Sequence, residues 1–154
     1  IRDLRMSRGL GDVYKRQGGM FMDIINYDDK YLDSLNELLN LSFQLKKVGK
    51  VADQDIELIA VVDDKVVGYL VLNRLIDGIR GVNYFYVNYV CTHPNFRNQH
   101  IATKMFEKVF SLCKETGVAY LELTSNPKRV AAHHLYHNLG FQIRETDVFR
   151  KEIV

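Results

Sequence analysis

The chain has 154 residues, of which 47% are hydrophobic and 26% are charged, and its formal net charge is +2. That length and apolar content are typical of a folded domain with a real core, and they argue against intrinsic disorder. No apolar run approaches the roughly 20 residues of a transmembrane helix, so a membrane partner is not expected.

Most of the positive charge lies at the start of the chain. Residues 1–21 hold five basic and two acidic residues, whereas the remainder holds 16 basic and 17 acidic residues. A nearly neutral domain gives no support to a nucleic-acid partner. Because residues 1–21 are rich in Gly and Arg and lack periodicity, we expect a non-native or disordered leader there. A single domain at 22–154 follows, with the true start at Met20 or Met22.

The first half of this domain predicts several strands and one helix. Apolar side chains at three- and four-residue spacing indicate the helix, and β-branched runs around Asp63-Asp64-Lys65 indicate a hairpin. The predicted elements are a strand at 22–26, a helix from its cap Asp28 to Ser42, a polar loop or broken helix at 44–55, strands at 56–62 and 66–72, a turn at 74–82 and an aromatic strand at 82–91.

The second half predicts two further helices. They are a helix at 101–116 that ends at Gly117, a strand at 118–124, a helix from its cap Asn126 to Leu139, and strands at 141–144 and 148–153. This order is typical of a mixed α/β layer fold rather than a doubly wound one. The dinucleotide and P-loop motifs GxGxxG and GxxxxGK[ST] are absent from the sequence.

A strand, a turn and a helix start follow one another between residues 90 and 102. Val90-Cys91-Thr92 ends an apolar strand, and a polar run from Arg97 opens the next helix. The unpaired N–H groups and the positive dipole end of such a helix start bind phosphate. Arg97-x-x-His100-x-Ala102 resembles the Arg/Gln-x-x-Gly-x-Gly/Ala loop of the GCN5-related N-acetyltransferases (GNAT). His100 stands where that family has its first Gly, so its side chain is expected either to crowd a cofactor or to reach a phosphate.

A second motif resembles the later helix of the same family. Arg129-x-x-Ala132-x-x-x-Tyr136-x-x-x-Gly140-Phe141 matches Asn-x-x-Ala-x-x-x-Tyr-x-x-x-Gly-Phe, with Arg129 at the Asn position. The resemblance implies an α/β (mixed α+β) fold of the GNAT acyl-coenzyme A N-acyltransferase type, in which helices flank a central mixed, mostly antiparallel sheet.

The resemblance also implies an activity, namely direct transfer of an acetyl group from acetyl-coenzyme A (acetyl-CoA) to an amine in a ternary complex. It makes Tyr136 the general acid and Glu122 a candidate general base. His93 is a weaker candidate base, and a turn residue in solvent is the alternative for it. The cofactor-binding residues implied are Val90, Cys91, Thr92, Arg97, Asn98, Gln99, His100, Ile101, Ala102, Thr103 and Arg129.

The acceptor is expected to be a small-molecule amine or a protein N-terminus, in a cytoplasmic protein that forms a homodimer in the manner frequent in the family. Tyr84, Tyr86 and Asn88 alternate with Phe85, Val87 and Tyr89 along the aromatic strand. One of these faces is expected to pack under helices, and the other to line an acceptor groove with the loops 44–55 and 74–82. A non-catalytic acyl-CoA-binding or partner domain is the alternative function, which His100 motivates.

No metal is expected. His133 and His137 are four residues apart on a predicted helix, but His134 takes the place of the Glu of HExxH. Cys91 and Cys113 form no CxxC pair, so reduced thiols are expected.

Overall fold

The computed structural model describes residues 21–153, so the leader predicted at 1–21 lies, apart from Phe21, outside the described residues. Within the described residues, the chain divides into two compact units, one that ends at Leu123 and one that begins at Thr124. The single domain expected at 22–154 stays a prediction.

A five-stranded sheet is the framework of the first unit. Its order is β1-β2-β3-β4-β5, in which neighbours are antiparallel except for the parallel pair β4 and β5. This confirms the predicted mixed, mostly antiparallel sheet. The strands are β1 Asp23–Asn26, β2 Ile56–Val62, β3 Lys65–Asp77, β4 Val82–Thr92 and β5 Leu121–Glu122.

Two helices cover opposite faces of this sheet. Helix α1, Leu32–Phe43, packs on the face that carries Ile59, Tyr69 and Val71. Helix α2, Ile101–Thr116, has the predicted bounds and ends at Gly117 in the left-handed conformation. It lies against β3 at Gly68, where an added Cβ would lie 2.7 Å from Met105 Sδ and 3.0 Å from Ile101 Cγ2. The absence of a side chain at Gly68 therefore lets the start of α2 approach the sheet.

The hairpin of β3 and β4 is longer than predicted. The turn expected at 74–82 is wrong in its first part, because β3 pairs with β4 as far as Asp77–Val82. The turn begins at Asp77, whose Oδ1 accepts hydrogen bonds from the N–H groups of Ile79 and Arg80. The carboxylate of Asp77 thus organises the turn, and Gly81 closes it with a φ of 69°.

Strand β5 is shorter than the strand predicted at 118–124, since only Leu121–Glu122 forms a ladder with β4. Two backbone hydrogen bonds extend the contact backwards, from Phe85 N to Tyr120 O and from Ala119 N to Asn83 O. The residues between Glu122 and the next helix form loop and turn, so they do not extend the pairing with β4.

The second unit is built on helix α3, Val130–Asn138. The prediction that Asn126 caps this helix is wrong, because the side chain of Asn126 accepts from Lys128 N in a turn that precedes the helix. The strands predicted at 141–144 and 148–153 are also wrong, since residues 141–153 form no strand. Phe149 is 93% exposed, and β-branched and aromatic residues favour a strand only when a neighbouring strand pairs with them.

Replacing Gly68 by Ala should lower the free energy of unfolding by about 1–3 kcal/mol, because the new Cβ overpacks the contact with Met105 and Ile101. Gly49→Ala is the matched control, since nothing lies within 4 Å of its Cβ position. Urea denaturation of both variants measures the difference. Equal stability of the two variants would contradict the close approach of α2 to β3.

Candidate active site

Strand β4 has an edge that β5 leaves uncovered. The two strands pair at only two positions, Phe85 with Leu121 and Tyr86 with Glu122. β4 continues to Thr92, and its other side remains paired with β3 as far as Gly68–Thr92. Backbone groups on the outer side of residues 87–92 are therefore not used by the parallel ladder. An extended molecule with amide groups can bind along such an edge.

A β-bulge bends β4 within this edge. Tyr69 pairs with Cys91, and Val71 pairs with Asn88. Between these two pairs β4 therefore has one residue more than β3. Tyr89 takes the left-handed conformation at a φ of 54°. The predicted alternation of faces ends here. Phe85 and Val87 are buried, but Tyr89 is half exposed and contacts Phe43 of α1 edge to face, with ring centroids 5.6 Å apart.

The loop that resembles a phosphate loop connects β4 to α2 with two left-handed residues. Asn98 and His100 have φ values of 62° and 58°. His100 is the residue before α2, and its own side chain makes no capping hydrogen bond to that helix. The N-terminal N–H groups of α2 are therefore not capped by the residue that usually does so. The conformation also explains why glycine suits the position of His100, because L-residues enter the left-handed region at a cost.

His93 stabilises the start of this loop from inside the protein. Its backbone N–H donates to Val67 O, its Nδ1 accepts from Asn95 N at 3.2 Å, and its ring packs edge to face on Phe96. The residue is only 4% exposed, so the prediction of a turn residue in solvent is wrong. Burial, and then the charge of Lys65, lower the pKa of His93 below its ordinary value of 6.5.

The face of the sheet that α1 packs on carries polar and aromatic side chains near β5. Glu122 is exposed and lies opposite Tyr86 in the parallel register. Tyr84 stacks on Tyr120 with ring centroids 4.7 Å apart. Desolvation, followed by the charges of Tyr120 and Glu122, raises the pKa of Tyr84. The candidate base Glu122 therefore shares one face with the tyrosines that were predicted to line an acceptor groove.

Asp55, at the end of the loop 44–55, begins a chain of side-chain hydrogen bonds on the same face. Its Oδ2 accepts from Asn73 Nδ2 at 2.9 Å, and its Oδ1 accepts from Arg74 N. Asn73 Oδ1 in turn accepts from Asn88 Nδ2. No motif in the sequence places Asp55 and Asn73 beside Asn88, because the registers of β2 with β3 and of β3 with β4 bring these residues together.

The same loop is fixed at its other end by a largely buried ion pair. Lys47 Nζ lies 2.7 Å from Glu57 Oε1, and Lys47 N donates to Asn36 Oδ1. Glu57 also accepts from the hydroxyl of Tyr69 at 2.6 Å, and burial followed by this bond raises the pKa of Tyr69. A single Glu in the apolar strand Ile-Glu-Leu-Ile-Ala-Val-Val was the sequence signal for this contact. The loop predicted as an acceptor wall is thus anchored at both ends.

In the second unit, helix α3 carries the predicted acid. Tyr136 is 8% exposed, and its ring packs edge to face on Phe141 with centroids 5.7 Å apart. Burial raises the pKa of Tyr136, and the positive charge of Arg129 opposes that shift. A phenol with a raised pKa is protonated at neutral pH, which a proton donor requires.

The predicted site residues thus fall into two groups. Val90, Cys91 and Thr92, the loop 97–103 and Glu122 belong to the first unit, and Arg129 and Tyr136 to the second. Residues 21–153 include no helix that is both long and apolar enough to cross a membrane. Within the same part of the chain, no group of three or more His, Cys, Asp or Glu side chains is placed to hold a metal ion.

A family model described as "Acetyltransferase (GNAT) family" matches residues 25–141. The chain belongs to the GNAT family. No curated protein matches this GNAT chain.

Solved structures of low sequence identity share its fold. A transcriptional regulator from Bacillus halodurans C-125 superposes with a TM-score of 0.75 at 17% identity, over 86% of this chain and 99% of its own. Ribosomal-protein-alanine N-acetyltransferase from Brucella melitensis biovar Abortus 2308 superposes with a TM-score of 0.73 at 18% identity, over 85% of this chain and 99% of its own. AAC(6')-Iy in complex with the bisubstrate analog CoA-S-monomethyl-acetylneamine gives 0.70 at 17% identity, over 86% and 99%.

Replacing His100 by Gly should raise the free energy of unfolding by about 0.5–1 kcal/mol. The left-handed conformation costs an L-residue about 1–2 kcal/mol, and the greater chain entropy of Gly offsets part of that gain. Asn98→Gly should raise the free energy of unfolding by less, because Asn tolerates the left-handed conformation better than His. Chemical denaturation checks both values, and a destabilised His100→Gly protein would contradict the assigned backbone conformation.

The stability of this GNAT domain should fall as the pH drops below about 6.5. The pKa of His93 is lower when folded than when unfolded. The unfolded chain therefore binds more protons than the folded chain as the pH falls below about 6.5. The stabilisation that neutral His93 provides is fully present only above that pH. His93→Asn keeps an acceptor for Asn95 N but does not titrate, so its stability should depend less on pH between 5 and 7. If the free energy of unfolding depended on pH in the same way in the wild type and in His93→Asn, the lowered pKa of His93 would be contradicted.

Proposed function

We propose that this GNAT chain is an N-acetyltransferase that transfers the acetyl group of acetyl-CoA directly to an amine. The observation that carries the proposal is the continuity of the uncovered β4 edge with the left-handed loop before α2. Pantetheine is an extended chain with two amides, and it ends in a pyrophosphate. A strand edge that leads into a helix N-terminus offers both kinds of partner in the right order.

The cofactor contacts follow from that order. Main-chain groups of Val90, Cys91 and Thr92 bind the pantetheine amides, and those of residues 97–103 bind the pyrophosphate. Arg97 is exposed and adds a positive side chain at the loop. Arg129 takes the place of the family's Asn, and it is assigned to the cofactor on the basis of the helix motif.

The transfer needs one base and one acid. The amine nitrogen attacks the thioester carbonyl carbon, and a strand N–H stabilises the oxygen that becomes negative. Glu122 accepts the proton that the amine loses, directly or through water. The C–S bond then breaks, and Tyr136 donates a proton to the thiolate of CoA. The assignment of Tyr136 rests on its motif and on its burial.

The acceptor is proposed to be a small-molecule amine or a protein N-terminus. Two of the structural relatives indicate these classes, one by its name as a ribosomal-protein-alanine N-acetyltransferase and the other by its acetylneamine bisubstrate analog. At 17–18% identity neither relative selects between them. Coenzyme A release in the presence of an amine panel tests the activity.

A non-catalytic acyl-CoA binder is the second candidate, and the observation that favours it is the side chain of His100 at a position that suits glycine. Calorimetry with acetyl-CoA followed by turnover assays separates the two functions. Binding without turnover on any amine supports the binder, whereas binding with turnover supports the enzyme.

Replacing Tyr136 by Phe should lower kcat about 100-fold and leave the affinity for acetyl-CoA nearly unchanged, because only the proton donor is removed. Tyr31→Phe removes a hydroxyl elsewhere in the chain and serves as the control. Steady-state kinetics give kcat, and calorimetry gives the affinity. Full activity of the Tyr136→Phe protein would exclude the acid role.

A further inference from the structure

We propose that Asn88 binds the acceptor amine through its Oδ1, and that Asp55 and Asn73 are positioning residues that fix the orientation of its amide. This inference rests on the proposed acetyltransferase function and deepens it by assigning a binding residue for the amine. It starts from the hydrogen-bond chain from Asp55 through Asn73 to Asn88.

The carboxylate of Asp55 determines which group donates and which accepts in each hydrogen bond of this series. An ionised carboxylate accepts hydrogen bonds and donates none, so Asn73 must turn its NH₂ group towards it. Asn73 then presents its carbonyl oxygen to Asn88, which must donate its own NH₂ group in return. Asn88 Oδ1 is left at the far end of the chain as an acceptor. The second oxygen of Asp55 is held by Arg74 N, which fixes the carboxylate itself.

The position of Asn88 suits contact with an amine. It is half buried and immediately precedes Tyr89, the left-handed residue of the β4 bulge. In the register of the sheet it lies on the same face as Tyr86, two residues away along β4, and Tyr86 is opposite Glu122. The candidate base and the proposed acceptor oxygen therefore face the same side of the sheet.

The chemistry selects an N–H donor. An amine that approaches Asn88 Oδ1 can donate one hydrogen to it while the nitrogen lone pair remains available for attack. A group that only accepts hydrogen bonds would face the carbonyl oxygen without a partner, and unmatched polar groups in such sites reduce affinity strongly.

The isosteric change Asp55→Asn tests the donor-to-acceptor order of these hydrogen bonds. The new amide keeps an oxygen for Arg74 N and turns its NH₂ group to Asn73, so both asparagines flip and Asn88 presents an NH₂ group instead of an oxygen. The KM for the amine should rise about 10- to 100-fold, while the KM for acetyl-CoA stays within about twofold. Asp53→Asn is the control, because Asp53 is an exposed carboxylate of the same loop.

The double variant Asp55→Asn with Asn88→Asp provides the rescue. With the amide of Asn73 flipped, the carboxylate introduced at position 88 accepts a hydrogen bond from Asn73 and still offers its second oxygen to the amine. The KM for the amine should therefore return towards the wild-type value. In the wild-type background, Asn88→Asp alone places two acceptors against each other and should raise the KM. The same substitution at Asn88 then has opposite effects on the KM in the two backgrounds, and this reversal of sign excludes a merely structural role for Asn88.

The substrate used is the best amine of the coenzyme A release panel, and thermal melts confirm that each variant folds. A raised KM in Asp55→Asn with rescue in the double variant supports the proposal. Turnover by the wild type with an unchanged amine KM in Asp55→Asn and in Asn88→Ala would overturn the role of Asn88 alone. A wild type that binds acetyl-CoA but acetylates no amine would overturn the proposed function, and this inference with it.

Discussion

The separation of β4 from β5 after Tyr86 is the constraint on which the rest of the candidate site depends. A parallel pair that continued to Thr92 would use the backbone groups on that side of β4 in its ladder. Because β5 has only two paired residues, the parallel ladder does not extend to this part of β4. The bulge at Tyr89 lies in this part of β4, shortly before the loop that leads to helix α2.

Packing on the two faces of the sheet holds this edge in position. The close contact of α2 with β3 at Gly68 fixes the first residue of the helix, Ile101, and with it the end of the loop. His93 fixes the beginning of the loop through one backbone bond and one ring nitrogen. On the other face, Lys47 and Asp55 anchor both ends of the loop 44–55 to the strands. The backbone geometry of the candidate site is therefore set largely by residues outside the predicted cofactor-binding set.

Local patterns in the sequence predicted the part of the fold that depends on nearby residues. The apolar stripe of Ile101–Thr116 and its terminal Gly117 gave the bounds of α2, and β-branched runs gave β2 and β3. The motif at Arg97 located the loop, but the left-handed conformation of His100 follows only from the observed backbone. What could not be predicted depends on pairing across the sheet. The bulge at Tyr89, the burial of His93 and the chain from Asp55 to Asn88 all require the register of β3 with its neighbours. The strand propensity of residues 148–153 failed for the same reason, because it carries no information about a partner.

The central claim is that coenzyme A lies along the outer edge of β4 and ends at the N-terminus of α2. Amide hydrogen exchange followed by NMR, with and without acetyl-CoA, tests it residue by residue. Binding of acetyl-CoA at this edge should slow exchange in Val90–Thr92 and in residues 98–103, with little change in β1 and β2. Binding that leaves exchange in both segments unaltered, or that protects another part of the chain instead, would contradict it.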